Sequence, residues 1–104
     1  MEGLLGLSNN YMYDNIFDLS FKQGLLSSNI FGFKLGNTYL KEKSYFYYNI
    51  SRDDIEGFEF VKLYDSIAWV FSADLSVSNK KFARFLTTVD TGSTFSHLPP
   101  NVFK

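Results

Sequence analysis

Several residue types are missing or scarce in this 104-residue chain, which contains no cysteine and one histidine. The lack of cysteine excludes disulfides, thiolate metal sites and cysteine catalysis, but leaves the cellular compartment open. The lone His97 excludes a metal site built from several histidines, and we interpret it as a turn residue. A formal net charge of −1 gives no electrostatic reason to expect nucleic acid or a membrane surface as a partner.

Long apolar runs are also missing. No stretch approaches the roughly 18 residues of a membrane-spanning helix, so we expect no membrane span in this segment. The first seven residues, M-E-G-L-L-G-L, have neither the basic start nor the length of a signal peptide. The chain is nevertheless 45% hydrophobic, with twelve Phe and seven Tyr. That composition is typical of a chain that buries a core, here at most one small domain.

Short strands dominate the predicted secondary structure. The apolar first seven residues are predicted as a strand, and a helix is predicted over 15–23, capped by Asp14 and ended by Gly24. Apolar runs at period two, or bounded by turn residues, predict further strands at 29–35, 44–50, 58–63, 67–77 and 82–89. Turns are predicted at 36–37 and 78–81, and residues 99–100 are predicted to start a short terminal helix. The fold class is therefore mainly β with one or two short helices.

The segment T-V-D-T-G-S-T at residues 88–94 carries the most information about function. A strand-like run leads to Asp90, which lies in a turn of small hydroxyl residues and glycine. Hydroxyls and backbone N–H groups can hold a carboxylate in a fixed orientation there. An Asp-Thr-Gly triplet is weak evidence by itself. For the isolated segment, the alternative is a simple turn in which Asp90 bonds its own backbone.

In their order, several segments resemble the pepsin-like aspartic proteases. The matching segments are residues 2–7, 21–26, 29–35, 69–71 and 89–99. The first reads E-G-L-L-G-L where the family has D-G-I-L-G-L. The last begins V-D-T-G-S-T and has Pro99 nine residues after Asp90, similar to the second-lobe motif and its downstream proline. The tail at 93–99 is most similar to plasmepsins and beta-secretase.

This resemblance implies an aspartic-type endopeptidase with a bilobal fold, of which the chain is a partial peptidase domain. Residues 1–50 would be the end of the N-terminal lobe and the inter-lobe sheet, and residues 51–104 the start of the C-terminal lobe. Each lobe of the family supplies one catalytic aspartate, so we expect the first aspartate and the flap before Met1. The closing strand is expected after Lys104. The segment would thus need the rest of the protease, and alone we expect it to be inactive and to fold poorly.

The resemblance also implies roles for the residues of the motif. Asp90 would be the catalytic aspartate, with its carboxylate held by the Gly92 N–H and by Ser93. Thr91 would bond across the interface between the lobes. The substrate would be a peptide or protein, with no cofactor and no metal, in the secretory pathway, the endomembrane system or outside the cell.

Three further residues complete the predicted set. By resemblance, Thr94 would line the substrate cleft and Leu4 would contribute to the pocket for the residue before the cut. Asn49-Ile50-Ser51 is an N-glycosylation sequon that is usable only in the secretory pathway. Because such triplets are common by chance, the sequence favours a fortuitous match.

The same residues allow two other functions. A homodimeric retroviral-type protease needs one Asp-Thr-Gly per chain, but places it near the start of the chain. A non-catalytic protease-derived or β-rich binding module is the remaining alternative. The acidic residues of 53–59 are interpreted as a solvated loop rather than a cation site. The aromatic run 45–48 is interpreted as sheet core rather than a base-stacking surface.

Overall fold

The computed structural model describes residues 2–64 and 68–102. Along the chain lie α1 (Ile16–Lys22), β1 (Phe31–Lys34), β2 (Tyr45–Tyr48), a 3-10 helix (Arg52–Ile55), β3 (Val70–Val77) and β4 (Lys80–Thr88). The strands of the described residues form two antiparallel two-stranded sheets, β1–β2 and β3–β4. The prediction of a small, mainly β chain with a short helix is confirmed. Across the described ranges, no helix has the length and apolar character needed to cross a bilayer.

The chain divides into two compact units. The first comprises Met1–Leu7 and Tyr13–Phe60 and contains α1, β1, β2 and the 3-10 helix. The second comprises Ser8–Met12 and Val61–Lys104 and contains the β3–β4 hairpin with the Asp-Thr-Gly segment that follows it. The lobe assignment made from the resemblance stays a prediction.

Helix α1 begins at a capping box. The Asn15 side chain accepts hydrogen bonds from two backbone N–H groups of the first turn, and Asp18 accepts one from the Asn15 N–H in return. The predicted cap, Asp14, was wrong by one residue, because only Asn15 has an acidic residue three positions later to complete the box. Asp14 instead pairs with Lys22 Nζ at 2.8 Å. The helix ends as predicted at Gly24, whose φ of +76° suits glycine at this position.

An aromatic cluster joins α1 to the first sheet. Its members are Phe17, Phe31, Phe33, Phe46 and Tyr48. Phe17 stacks on Phe31 with ring centroids 5.1 Å apart, and Phe33 stacks on Phe46 at 4.9 Å. In the sheet register, Phe31 faces Tyr48 and Phe33 faces Phe46, so these four rings share one face.

The expectation that residues 45–48 form a sheet core was wrong in one respect. They form β2, but all of them are exposed, with Tyr48 at 60%. A seven-residue helix covers only part of one face of the sheet. On the other face, Tyr45 and Tyr47 stack on each other at 5.9 Å and are exposed as well.

The second sheet is a hairpin with an irregular register. Its two-residue loop is Ser78-Asn79, so the predicted turn is shorter than 78–81, and Lys80 and Lys81 already pair within the sheet. A bulge lies between Ala73 and Leu75. There, Asp74 accepts a hydrogen bond of 3.0 Å from the backbone N–H of Arg84. Arg84 has a φ of 58°, a left-handed conformation unusual for a side chain of this size.

Three sequence predictions fail in the described residues. Residues 2–7 and 58–63 form no strand, and the chain at Pro99 makes a single turn closed by Val102 N–H to the Pro99 carbonyl, not a helix. The strand predicted over 67–77 begins at Ile67, which lies outside the described residues. An apolar pattern becomes a strand only where a neighbouring strand can complete its hydrogen bonds. The described strands pair only within their own hairpins.

Apolar side chains of this chain lie mostly at its surface. None of the described residues is buried, and Leu4 and Tyr39 are 89% and 97% exposed. The core expected from composition is therefore not formed within the described residues.

Candidate active site

Asp90 lies directly after the hydrogen-bonded strands of the β3–β4 hairpin. Strand β4 ends at Thr88, which pairs with Val70. The Val89 N–H then donates to the Trp69 carbonyl at 3.0 Å, so the paired backbone extends one residue beyond the strand. Asp90 is the first residue after this anchored stretch and lies in the second unit.

Both oxygens of the Asp90 carboxylate are held by its own turn. Oδ1 accepts the Gly92 backbone N–H at 2.9 Å. Oδ2 accepts the Ser93 hydroxyl at 2.7 Å, a short bond of the kind that ionised acceptors make. The turn is closed by the Ser93 N–H, which donates to the Asp90 carbonyl at 3.3 Å. The carboxylate therefore has a defined orientation although it is exposed to solvent.

These donors act on the ionisation of Asp90. The Ser93 hydroxyl, followed by the Gly92 N–H, lowers the pKa of the Asp90 carboxyl below its ordinary value. Hydrogen bonds to a carboxylate favour the charged form, because both donors interact better with a full negative charge. Asp90 therefore keeps its negative charge to lower pH than an ordinary aspartate.

Glycine at position 92 leaves room for the carboxylate beside it. A Cβ at this position would lie 3.1 Å from Asp90 Oδ1, closer than ordinary van der Waals contact. With glycine, the backbone N–H approaches the oxygen without displacing it.

The structure brings together only part of the predicted site. Asp90, Gly92 and Ser93 are in direct contact. Thr91 and Thr94 are exposed in the same turn. Leu4 is 89% exposed and belongs to the first unit. The roles of these last three residues stay predictions.

Sequence reasoning did not identify Trp69 as part of the support for this site. Its contribution is the backbone carbonyl that receives the Val89 N–H. A main-chain acceptor leaves no residue-type signal, and it could be found only through the register of the hairpin.

The other candidate clusters have structural explanations. Asp54 belongs to the 3-10 helix and accepts the Ser51 N–H in a capping box, while the Ser51 hydroxyl accepts the Asp53 N–H. Within residues 2–64 and 68–102, no group of three or more His, Asp or Glu side chains is placed to hold a metal ion. His97 is exposed.

Comparisons with protein-family models, with curated proteins and with solved structures gave no match to this chain.

Removing the Ser93 hydroxyl tests the electrostatics of the site. We expect Ser93→Ala to raise the pKa of Asp90 toward its ordinary value, since the largest cause of the lowering is lost. A carboxylate with a lowered pKa stabilises the folded state above its unfolded pKa, and this contribution disappears as pH falls through the folded pKa. In the variant this contribution is smaller, and its loss on acidification is complete at a higher pH, because only the folded pKa has been raised. The side-chain carboxyl ¹³C shift of Asp90, followed by NMR from neutral to acidic pH, measures the change.

Thr94→Ala, one residue further along the same turn, is the matched control and should leave the Asp90 titration in place. All the bonds involved are local to residues 90–93, so the measurement does not depend on the rest of the fold. Coincident titration curves for Ser93→Ala and the parent chain would contradict the assigned role of the hydroxyl.

Proposed function

We propose that this chain is part of a pepsin-like aspartic protease, an aspartic-type endopeptidase, in which Asp90 is one of two catalytic carboxylates. The observation that supports the proposal is the pair of bonds on opposite oxygens of Asp90, from Gly92 and from Ser93. A simple turn of the Asx type needs only the bond between Asp90 and the backbone two residues later. The Ser93 hydroxyl on the second oxygen is an additional restraint, and it fixes the direction of the whole carboxylate.

The proposed chemistry uses a pair of carboxylates about 3 Å apart that share one proton, because both cannot ionise at that distance. The ionised member takes a proton from a water molecule, whose oxygen attacks the peptide carbonyl carbon. The protonated member gives its proton to the carbonyl oxygen, forming a tetrahedral diol. When the diol collapses, the C–N bond breaks, the amine leaves with a proton from the protonated carboxyl, and the other carboxylate takes a proton from one diol hydroxyl, which restores the shared proton. The lowered pKa of Asp90 favours it as the ionised member, although the final titration belongs to the pair.

A single aspartate cannot perform this reaction, since it cannot act as proton acceptor and proton donor at once. We infer that the second carboxylate comes from outside these 104 residues, from the remainder of a longer bilobal chain. In this proposal, Thr91 bonds across the lobe interface, and Thr94 and Leu4 contact the peptide substrate. The enzyme would work in the secretory pathway or outside the cell, without a cofactor.

The exposed apolar surface of the chain supports the same proposal. Both sheets leave aromatic or aliphatic side chains in solvent, for example Phe33 and Tyr48 in the first and Leu86 and Val89 at the second. Exposed apolar area of this extent marks a surface that binds other protein. In a two-lobed protease, the rest of the chain would cover it.

The isolated chain provides a direct test. We expect it to show no peptidase activity at acidic pH, to bind the dye ANS through its exposed apolar surface, and not to bind a statine peptide that mimics the transition state. The product of the full open reading frame should bind that peptide and cleave at acidic pH. Calorimetric titration and a fluorogenic peptide assay measure these outcomes.

Two results would overturn the proposal in different ways. Acid cleavage by the isolated chain that Asp90→Asn abolishes would point to a homodimeric protease with one aspartate per copy. Failure of the full product to bind the statine peptide would leave a non-catalytic binding module.

A further inference from the structure

The sequon at Asn49 occupies an exposed turn at the end of a strand. Asn49 directly follows β2 and has a φ of 54°, a left-handed conformation that asparagine tolerates better than most residues. The next residue returns to the sheet, as the Ile50 N–H donates to the Ile30 carbonyl at 3.3 Å. Asn49 is therefore held by ordered backbone on both sides, while the residue itself is exposed.

The amide group of Asn49 is oriented by its oxygen. Oδ1 accepts hydrogen bonds from the Ser27 N–H, the Ser27 hydroxyl and the Ser28 N–H, each at 3.0 Å. These bonds fasten residues 27–28 to the end of β2, across more than twenty residues of chain. They use the oxygen alone, so the Nδ2 amino group is not needed for this contact.

The oxygen and the nitrogen of the Asn49 side chain therefore have separate roles: the oxygen accepts hydrogen bonds, and the nitrogen is left for glycan attachment. Attachment of a glycan replaces one hydrogen of Nδ2 and leaves the carbonyl oxygen in place as an acceptor. A glycosylated Asn49 would thus keep all three bonds to Ser27 and Ser28. The bulky sugar needs a surface position, which the exposure of Asn49 provides.

We propose that Asn49 carries an N-linked glycan, a step that rests on the secretory location in the proposed function. The glycan donor would be an oligosaccharide linked through pyrophosphate to a lipid. The Nδ2–carbon bond forms at the anomeric carbon, the carbon–oxygen bond to the pyrophosphate breaks, and the pyrophosphate leaves with the lipid. The Nδ2 proton passes to a basic group of the transferase. The Ser51 hydroxyl completes the recognition sequence.

The 104 residues contain one sequon, so any N-linked glycan on this chain is assigned to Asn49. The chain is translated behind a cleavable secretory leader in the presence of endoplasmic-reticulum microsomes. We expect one discrete shift to lower gel mobility, reversed by an N-glycosidase without denaturant because Asn49 is exposed. Asn49→Asp and Ser51→Ala should abolish the shift, whereas Ser51→Thr should keep it. The aspartate variant retains an oxygen acceptor for Ser27 and Ser28, so its folding is the best matched to the parent.

Occupancy in the cell is read from the protein isolated from its natural source. Release of the glycan by the N-glycosidase converts Asn49 to aspartate, which mass spectrometry detects. Absence of the shift in microsomes, its persistence in Asn49→Asp, or an unmodified Asn49 in the natural protein would overturn the proposal. Asp90→Asn should keep the glycan, because glycosylation does not depend on the catalytic residue. A natural protein that is glycosylated but has no acid peptidase activity would reject the protease function alone. An active protease without the glycan would reject the glycosylation site alone.

Discussion

Asp90→Asn, introduced into the product of the full open reading frame, should lower kcat for acidic peptide cleavage by about 10³-fold or more. Asparagine keeps the shape of the side chain: its oxygen can still accept the Gly92 N–H, and its Nδ2 group can donate to the Ser93 hydroxyl oxygen in place of the second bond that holds Asp90. It cannot accept the proton of the attacking water, so the loss should appear in kcat with little change in KM. Steady-state kinetics on a fluorogenic peptide measure both constants.

Asp74→Ser is the control for this experiment, since Asp74→Asn would create an Asn-Leu-Ser sequon at residues 74–76. Asp74 is another exposed carboxylate with a lowered pKa, caused first by the Arg84 N–H, and it lies on the same hairpin. Its removal should leave peptide cleavage close to the parent rate. Equal losses in the two variants would mean that Asp90 acts on the fold and not on the reaction.

Gly36→Ala is expected to destabilise the first unit by about 1–3 kcal/mol, the usual cost of forcing extra volume into a filled space. A Cβ on residue 36 would lie 2.6 Å from the backbone carbonyl oxygens of both Glu42 and Lys43. The loop between β1 and β2 returns against this glycine, and the Gly36 N–H donates to the Ser44 hydroxyl at 2.9 Å. Backbone atoms cannot move aside as a flexible side chain would, so the loop itself must open.

Gly32→Ala provides the comparison within the same sheet. A Cβ at residue 32 would meet only the Ile50 side chain, at 3.8 Å, which is ordinary contact. Denaturant unfolding of the two variants in the full-length product should therefore separate them, with the lower midpoint for Gly36→Ala. Indistinguishable midpoints would show that the loop does not return against Gly36.

The helix and the turns of this fold could be predicted from the sequence, but which segments pair as strands could not. Helix α1 and its glycine end follow from capping and left-handed backbone preferences, which act within a few residues. The same holds for the turns at Asn37 and Ser78. Whether residues 2–7 or 58–63 become strands depends on a partner strand, and no pattern within a single segment specifies that partner.

In the candidate site, too, the local contacts could be predicted from the sequence and the contacts between strands could not. The bonds from Gly92 and Ser93 to Asp90 span two and three residues, so the motif itself encodes them. The sequence did not reveal that the Trp69 carbonyl anchors the residue before Asp90, since that contact depends on the register of two strands. The burial of the aromatic residues 45–48 was overestimated for a related reason: burial requires surfaces that cover them, and their hydrophobicity alone does not provide one.

The bulge at Asp74 affects how readily a chain with so much exposed apolar surface can aggregate. Within the described residues no further strand pairs with the outer edges of the β3–β4 hairpin, although the Tyr64 N–H donates to the Val70 carbonyl at 2.9 Å. Unpaired strand edges are templates on which other chains stack into aggregates. The bulge breaks the regular spacing of the strand, Arg84 leaves the extended conformation, and a charged pair of Asp74 and Lys81 lies beside the break. A second strand could not add in register along the full length of this edge. The irregularity thereby disfavours edge-to-edge association of the hairpin with a second copy.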